Sequence, residues 1–524
     1  MKKRWQQLLA LVLAAVLLTG CSAVWSDGVV SYEDMQYERP DMTALEARLQ
    51  DAFRAARGED LSVIEEEIYD FYDAYDWFYT CYSLAELRYF SNMTDIYWQD
   101  EYDYCVEKSP RVDAMLEELY AALAQSPCRS QLEGDDYFGA DFFDSYEDGG
   151  WDEAFVALLE RENDLEGRYY DRYGESLDHE GEDNYYDVYA DELARILVEL
   201  IEVRQEIADY WGYSDYPEFA SDSYYYRDYT PAQVEVYLKD IQQELVPLYR
   251  QVSQSDIWEE TLNYSTEKET FAYVRDMARN MGGTVQEAFE LLEKAKLYDI
   301  AYGENKYPTS YEVYLTSYWE PFVFLCPQGS TYDHLAFAHE FGHFCADYAA
   351  YGSYAGADVQ EVFSQGMEYL SLCYGENTEN LKKVKMADSL FLYVEQAAFA
   401  SFEQRMYGLT GESLSVEGLY RLYEEVALEY GFDSVEYDKR EFVTISHYYT
   451  DPMYIISYVV SNDAALQLYQ MERFQTGAGL ACLQESLGSE EAYILAFLQE
   501  AGLQSPFTPG RIKTVRKTLE AVLK

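Results

Sequence analysis

A mostly α protein of at least two lobes, with a small sheet beside a histidine-bearing helix, is what this sequence predicts. Three observations lead there. The chain runs to 524 residues, more than one hydrophobic core usually serves. Apolar residues recur at spacings of three and four along most of it, the period of a buried helix face. One stretch reads as strand, Pro321-Phe322-Val323-Phe324-Leu325-Cys326, short, apolar and bounded by Pro327 and Gly329.

The first residues read as an address. Lys2, Lys3 and Arg4 precede an apolar run, Leu8 to Leu18, too short to span a bilayer comfortably. Leu18-Thr19-Gly20-Cys21 follows and resembles the lipobox of bacterial lipoprotein signal peptides. That resemblance implies a signal peptide over 1–20, lipidation of Cys21, and an extracytoplasmic chain lipid-anchored to a bacterial membrane. An ordinary secretory signal with an incidental cysteine is the alternative. No later stretch is long and apolar enough to span a membrane. Residues 21–40 are polar and aperiodic and read as a tether.

An N-terminal helical lobe is expected over 41–130. Leu61, Ile64, Ile68, Phe71, Tyr75, Phe78 and Tyr82 form one apolar stripe, and a second helix is expected over Val112 to Leu123. Gln131 to Trp151 is acidic and carries Gly134, Gly139, Gly149 and Gly150, so 131–190 reads as a connection. Asp187 to Gly212 is again helical, with Leu193, Ile196, Leu197, Leu200 and Ile201 on its apolar side. Thr230-Pro231-Ala232-Gln233 opens another helix with a capping box, which Pro247 should kink or end. From Gln360 onward the chain reads as mostly helical, broken near Gly375, Gly408 to Gly411 and Pro506 to Gly510.

Composition narrows the function classes. Apolar residues make up 48% of the chain, which excludes global disorder. The formal net charge of -60, from 98 acidic and 38 basic residues, argues against nucleic-acid binding, since phosphates would be repelled. The same charge serves solubility or the steering of cationic peptides, and composition does not choose between them. The 55 tyrosines often sit beside acidic residues, as in Tyr69 to Tyr82, and read as packing with hydroxyls at the edge. Of eight cysteines, none forms a CxxC pair, so a cysteine zinc site is not expected. Apart from Cys21 seven remain, in a chain too large to need a disulfide framework.

The chemistry concentrates in His339-Glu340-Phe341-Gly342-His343. Residues four apart share a helix face, so both imidazoles can meet one metal ion, with Glu340 placed to handle a water. This is the HExxH pattern of zinc peptidases. Catalytic zinc sites usually take three protein ligands. His179 lies in a polar stretch and reads as solvated. His334 precedes the motif by five residues, off the ligand face. A carboxylate is therefore the better third ligand, and Glu361 and Glu368, two turns apart on one helix, both qualify.

HEFGH followed by Glu361 in VQEVFSQGMEYL resembles the M3 family of metallopeptidases, the thimet oligopeptidase and oligoendopeptidase F group. So does Pro321 to His343 as a strand, turn and helix leading into the motif. The likeness extends over about Ser62 to Phe507 and is strongest from Pro321 to Tyr458. It implies a two-lobed helical zincin with a deep interlobe channel and an M3-like catalytic region over 191–524. It also implies one Zn²⁺ per chain on His339, His343 and Glu361, with Glu368 at most a supporting partner. Ile445 to Ser461 resembles the family segment with a histidine and tyrosines facing the zinc. His447, Tyr454 and Tyr458 match them and would stabilise the oxyanion; a one-residue insertion keeps Tyr448 and Tyr449 open. Tyr311 to Pro321 lacks the glycines that many members carry in the loop before the strand. Ala346 stands where many have a further histidine that is not a ligand.

The expected activity is hydrolysis of short oligopeptides, with Glu340 as general base and Phe322 to Leu325 aligning substrate as an added strand. A catalytically inactive peptide- or metal-binding lipoprotein and a zinc exopeptidase are the alternatives.

Overall fold

The computed structural model describes residues 29–524, apart from 135–136, 147–152, 178, 180–183, 353–354, 436 and 490. The expected signal peptide and Cys21 lie outside the described residues. No described helix is long and apolar enough to cross a membrane.

The stretch expected as tether is docked on the body over residues 29–40. Met35 is buried, and its carbonyl accepts from Arg88. The Tyr32 ring lies 4.4 Å from that of Phe322. Arg39 makes two hydrogen bonds to buried Glu101, which also accepts from the Tyr37 hydroxyl. The segment has no periodicity because long-range contacts, not a helix or strand repeat, hold it.

Three helices, Met42–Ala56, Leu61–Ser91 and Ile96–Ala124, build the N-terminal lobe. Asp41 and Asp95 cap the first and third by accepting backbone N–H groups. Ile64, Ile68, Phe71 and Phe78 of the expected stripe are buried in the lobe's own core, which Phe138, Phe142, Phe143 and Tyr146 complete. Those aromatics come from the acidic stretch after the lobe, which is irregular as expected and yet contributes to the core. Leu84 and Leu87, near the end of Leu61–Ser91, belong to the second and larger core formed with the rest of the chain.

The connection expected over 131–190 is largely helix, Glu153–Leu177, followed by the start of Tyr185–Trp211. Its buried positions include Phe155, Leu165 and Tyr169. Tyr169 stacks on Tyr449 at 3.9 Å. Phe155, Leu158, Leu159 and Leu165 line the same face at helical spacing. The capping box of Thr230 and Gln233 forms as expected. That helix ends at Glu244, and Pro247 opens the next, Val246–Val252.

The sheet has three strands: β1 (Tyr298–Ile300), β2 (Ser310–Leu315) and β3 (Glu320–Leu325). β3 lies in the middle, parallel to β1 and antiparallel to β2. Val323 is thus paired with both Tyr298 and Glu312, and every β3 residue is buried. Two expectations change. Much of Tyr311 to Pro321 is strand β2, not loop. Phe322 to Leu325 has no free edge on which to add a substrate strand.

Beyond β3, Asp333 accepts from the backbone N–H groups of Gln328, Gly329 and Ser330 at 2.9–3.0 Å. It thereby fixes the turn into the helix Asp333–Ala350. This helix packs along Ala357–Tyr374, which packs in turn along Ile456–Phe474. Those three helices carry most of the site. All seven described cysteines are free.

Candidate active site

His339 and His343 stand one turn apart on Asp333–Ala350, ring centroids 5.1 Å apart. Gly342 lies between them in sequence, against the backbone of Ala357–Tyr374: a Cβ there would come within 2.5 Å of Ser364 Cα. That close approach brings Glu361 to the histidines. Glu361 Oε2 lies 3.6 Å from His339 Nε2, and ligand atoms of His339, His343 and Glu361 all fall within 4.8 Å of one another.

Two imidazoles and one carboxylate converging at this spacing match the donor set of a catalytic zinc site with an open fourth position. The partners behind them fit as well. His339 Nδ1 lies 2.9 Å from Glu368 Oε1, which leaves Nε2 toward Glu361. Ser364 donates to Glu361 Oε2 at 2.9 Å, and the Gln360 side chain hydrogen-bonds His343. Such outer bonds orient metal ligands. Glu368 is held in turn by buried Lys385 at 2.8 Å, and Lys385 by Asp388 at 3.2 Å.

The protein's own charges set the protonation of these groups. Burial lowers the pKa of His343 to about 4, with the His339 charge adding to it against Glu361, so its imidazole is neutral and free to ligate. Burial also pushes His339 down, but its hydrogen bond to Glu368 and the charges of Glu361 and Glu340 outweigh it, and the pKa rises to about 9. His339 must therefore release a proton when it ligates. A quarter of the His339 side-chain surface, 25%, is open, so the ring can be reached from outside.

Glu340 is 8% exposed. Burial, helped by Glu361 and Glu368 and opposed by His339, raises its pKa to about 7. A general base works best near the operating pH.

The downstream segment lies beside these residues. The Tyr454 hydroxyl donates to Glu361 Oε1 at 3.2 Å. The Tyr458 hydroxyl lies 3.3 Å from His447 Nε2. The two tyrosine rings are 5.1 Å apart, although Tyr454 precedes the helix Ile456–Phe474 and only Tyr458 is on it. Burial, then the charge of Glu361, raises both tyrosine pKa values, so both keep their protons. Burial lowers His447 against Asp451 and Glu361.

Tyr448 and Tyr449 are structural. Both are fully buried, with hydroxyls donating to the carbonyls of Phe399 and Leu193. His334 sits apart from the site, stacked on Tyr273 and bonded to Ser265; His179 is exposed.

Sequence reasoning missed several supporting residues: Lys385, Arg204, Glu403 and the close contact at Gly342. Arg204 left a trace, because it interrupts the apolar stripe of Leu197, Leu200 and Ile201 ahead of Ile207 and Ala208, all buried.

Comparison with known proteins agrees with this architecture. Residues 32–148 match the family model of the peptidase M3 N-terminal domain. No curated protein matches the chain. Among solved structures, the inhibitor-bound Pz peptidase A superposes with a TM-score of 0.77 at 19% identity, covering 94% of this chain and 99% of that one. A Bacillus anthracis protein assigned as an oligoendopeptidase F gives 0.74 at 20%, covering 95% and 98%. Oligoendopeptidase F from Enterococcus faecium gives 0.57 at 15%, covering 92% and 96%. The fold is therefore that of the helical oligoendopeptidases.

Proposed function

We propose that this chain is a zinc-dependent endopeptidase of short oligopeptides, anchored outside the cytoplasm through Cys21. One observation carries the reading: His339, His343 and Glu361 converge within 4.8 Å directly beside a buried carboxyl, Glu340, whose pKa lies at about 7. The shared oligoendopeptidase fold supports it.

His339, His343 and Glu361 would hold a zinc ion, which would supply Lewis acidity to the reaction. The remaining work falls to the chain. Glu340 accepts the proton of the attacking water and passes it to the leaving nitrogen. The Tyr458 hydroxyl, kept protonated by burial, donates to the oxyanion, and His447 orients that hydroxyl. The Tyr454 hydroxyl keeps its proton and donates a hydrogen bond to Glu361, which holds the ligand carboxylate in place. With β3 enclosed, alignment of substrate as an added strand passes to β2 at the sheet edge.

The test is Glu340→Gln with a mixed peptide pool, with and without chelator. Chelator-sensitive cleavage by the wild type, lost in the variant with zinc still bound, supports the mechanism. Retained turnover in the variant sinks it. No cleavage by the zinc-loaded wild type would instead favour a binding protein. Product masses separate internal cleavage from trimming at an end. The anchor is tested separately: Cys21→Ser should move the chain from the membrane fraction to the soluble one.

A further inference from the structure

We infer that Arg204 is a positioning residue for His447: its buried guanidinium holds the two carbonyls that follow the histidine and so fixes where the imidazole stands in the site. The kinetic part of this inference rests on the peptidase reading above.

His447 opens a single helical turn, His447–Thr450. One turn cannot hold itself, because nucleation fixes several residues for very few hydrogen bonds. The carbonyls at the end of such a turn also lack partners within it. Tyr448 and Tyr449 are fully buried, so water does not serve those carbonyls. Arg204, on Tyr185–Trp211, does. Its Nη1 donates to the carbonyl of Tyr448 at 2.7 Å, and its Nη2 to that of Tyr449. Nε donates to Glu162 at 2.7 Å and Nη2 also to Glu166 at 3.2 Å, both on Glu153–Leu177. A planar guanidinium with five N–H donors suits this division between two carboxylates and two carbonyls.

The far side of the segment is held in the same manner. The Tyr225 hydroxyl donates to the Pro452 carbonyl at 2.9 Å. Buried Glu403 accepts the Met453 N–H at 2.6 Å, where Met453 has φ +70°, a left-handed conformation unfavourable for a side chain. Anchored at both ends, the segment leaves the His447 ring beside Tyr458 and Tyr454.

Stability alone does not account for Arg204. Buried ion pairs seldom improve on well-packed apolar residues at the same place. Here Arg204 interrupts an apolar stripe and directs two of its donors at the backbone of the turn that His447 opens, at Tyr448 and Tyr449.

Arg204→Lys keeps a positive charge opposite Glu162 but cannot bridge both carbonyls. The expected result is a fall in kcat of about 10- to 100-fold with KM changed less than about threefold. Zinc stoichiometry should stay near wild type, while the thermal unfolding temperature should fall, because a buried carbonyl loses its donor. In a His447→Ala background the same substitution should cost no further activity, since both act through one group. Glu166→Gln, at a side chain 26% exposed, is a milder variant, and it should move kcat in the same direction. Selective histidine labelling resolves five imidazoles; the His447 signal should shift in the Arg204 variant while that of exposed His179 does not. An unchanged kcat, a loss of equal size with and without His447, or an unmoved His447 signal would overturn the inference. The imidazole signals need no turnover, so a chain that cleaves nothing would refute the peptidase reading and still leave this one decided.

Discussion

Gly342→Ala tests the geometry of the metal site most directly. The added Cβ would lie 2.5 Å from Ser364 Cα, 2.7 Å from the Phe363 carbonyl oxygen and 3.0 Å from its carbon. Carbon atoms in contact settle at about 3.5–4.0 Å. All three are backbone atoms of a buried helix, so none can rotate away. Relief requires Ala357–Tyr374 to retreat by about 1 Å or more. That helix carries Glu361, three residues before Ser364, and Glu368, four residues after it. The 3.6 Å approach to His339 Nε2 and the 2.9 Å bond to Nδ1 would both lengthen. Overpacking costs about 1–3 kcal/mol, and alanine's helix preference over glycine returns about 1 kcal/mol of that. Disturbing outer-sphere partners of a metal ligand costs about 10- to 100-fold in metal affinity. Zinc affinity should therefore fall by more than stability does. Chelator competition and thermal unfolding on the same preparations measure the two. Gly366→Ala is the control: its nearest neighbour is the end of a rotatable side chain, Leu468 Cδ1 at 2.8 Å, and zinc affinity should hold. A Gly342→Ala chain with wild-type zinc affinity and turnover would refute the reasoning.

Other expectations follow from the same contacts. Glu368→Gln, which weakens the hold on His339 Nδ1, should lower zinc affinity by about 10- to 100-fold in the chelator competition; unchanged affinity would show that Lys385 and Glu368 are bystanders. Tyr458→Phe should lower kcat by about 10²-fold or more with little change in KM, if its hydroxyl meets the oxyanion; a pure KM effect would remove it from that role. The pH dependence of stability has a definite sign. Burial raises Glu403 to about 8, and Glu117, Glu166, Glu320 and Glu395 each to about 7. A free glutamate titrates near pH 4.3 (about), so the folded state holds these protons more tightly than the unfolded one. Their contribution is complete below that value and is lost as pH rises through the folded pKa. Unfolding free energy should therefore fall between about pH 5 and 8, by up to about 1.4 kcal/mol per pH unit for Glu403 alone, and the unfolding temperature should fall with it. Glu403→Gln should flatten the fall, and a profile that rises over this window would contradict the burial of these groups.

Local patterns in the sequence gave the local structure. The stripe from Leu61 to Phe78, the Thr230 capping box and the apolar strand before the motif each need only neighbouring residues to form, and each formed. Glu153–Leu177 was legible as well: Phe155, Leu158, Leu159 and Leu165 recur at helical spacing, and the glycine-rich pattern belongs only to the stretch before it. Residues 29–40 escaped because an arginine, a tyrosine and a methionine dock them through contacts at Glu101 and Arg88, far along the chain. The place of β3 was legible and misjudged. Six consecutive apolar or small-ring positions signal a strand covered on both faces, which belongs in the middle of a sheet and not at a substrate-facing edge.

The site shows where legibility stops and why. His339, Glu340 and His343 lie within one helix, so their spacing alone fixes that they share a region of space. Glu361 and Glu368 also share a face, but only the resemblance chose between them; the structure agrees because Ser364 and Tyr454 turn to Glu361 while Lys385 turns to Glu368. His447 has no such local logic. Its position depends on backbone carbonyls, which no side-chain pattern encodes, held by an arginine more than two hundred residues earlier. What the sequence does record is the misfit: a charged residue at a position of Tyr185–Trp211 where helix periodicity demands an apolar one. A buried charge is retained only where partners satisfy it. An arginine inside an apolar stripe therefore states that acceptors converge on it from elsewhere in the fold. Here two of those acceptors belong to the turn that carries a site histidine.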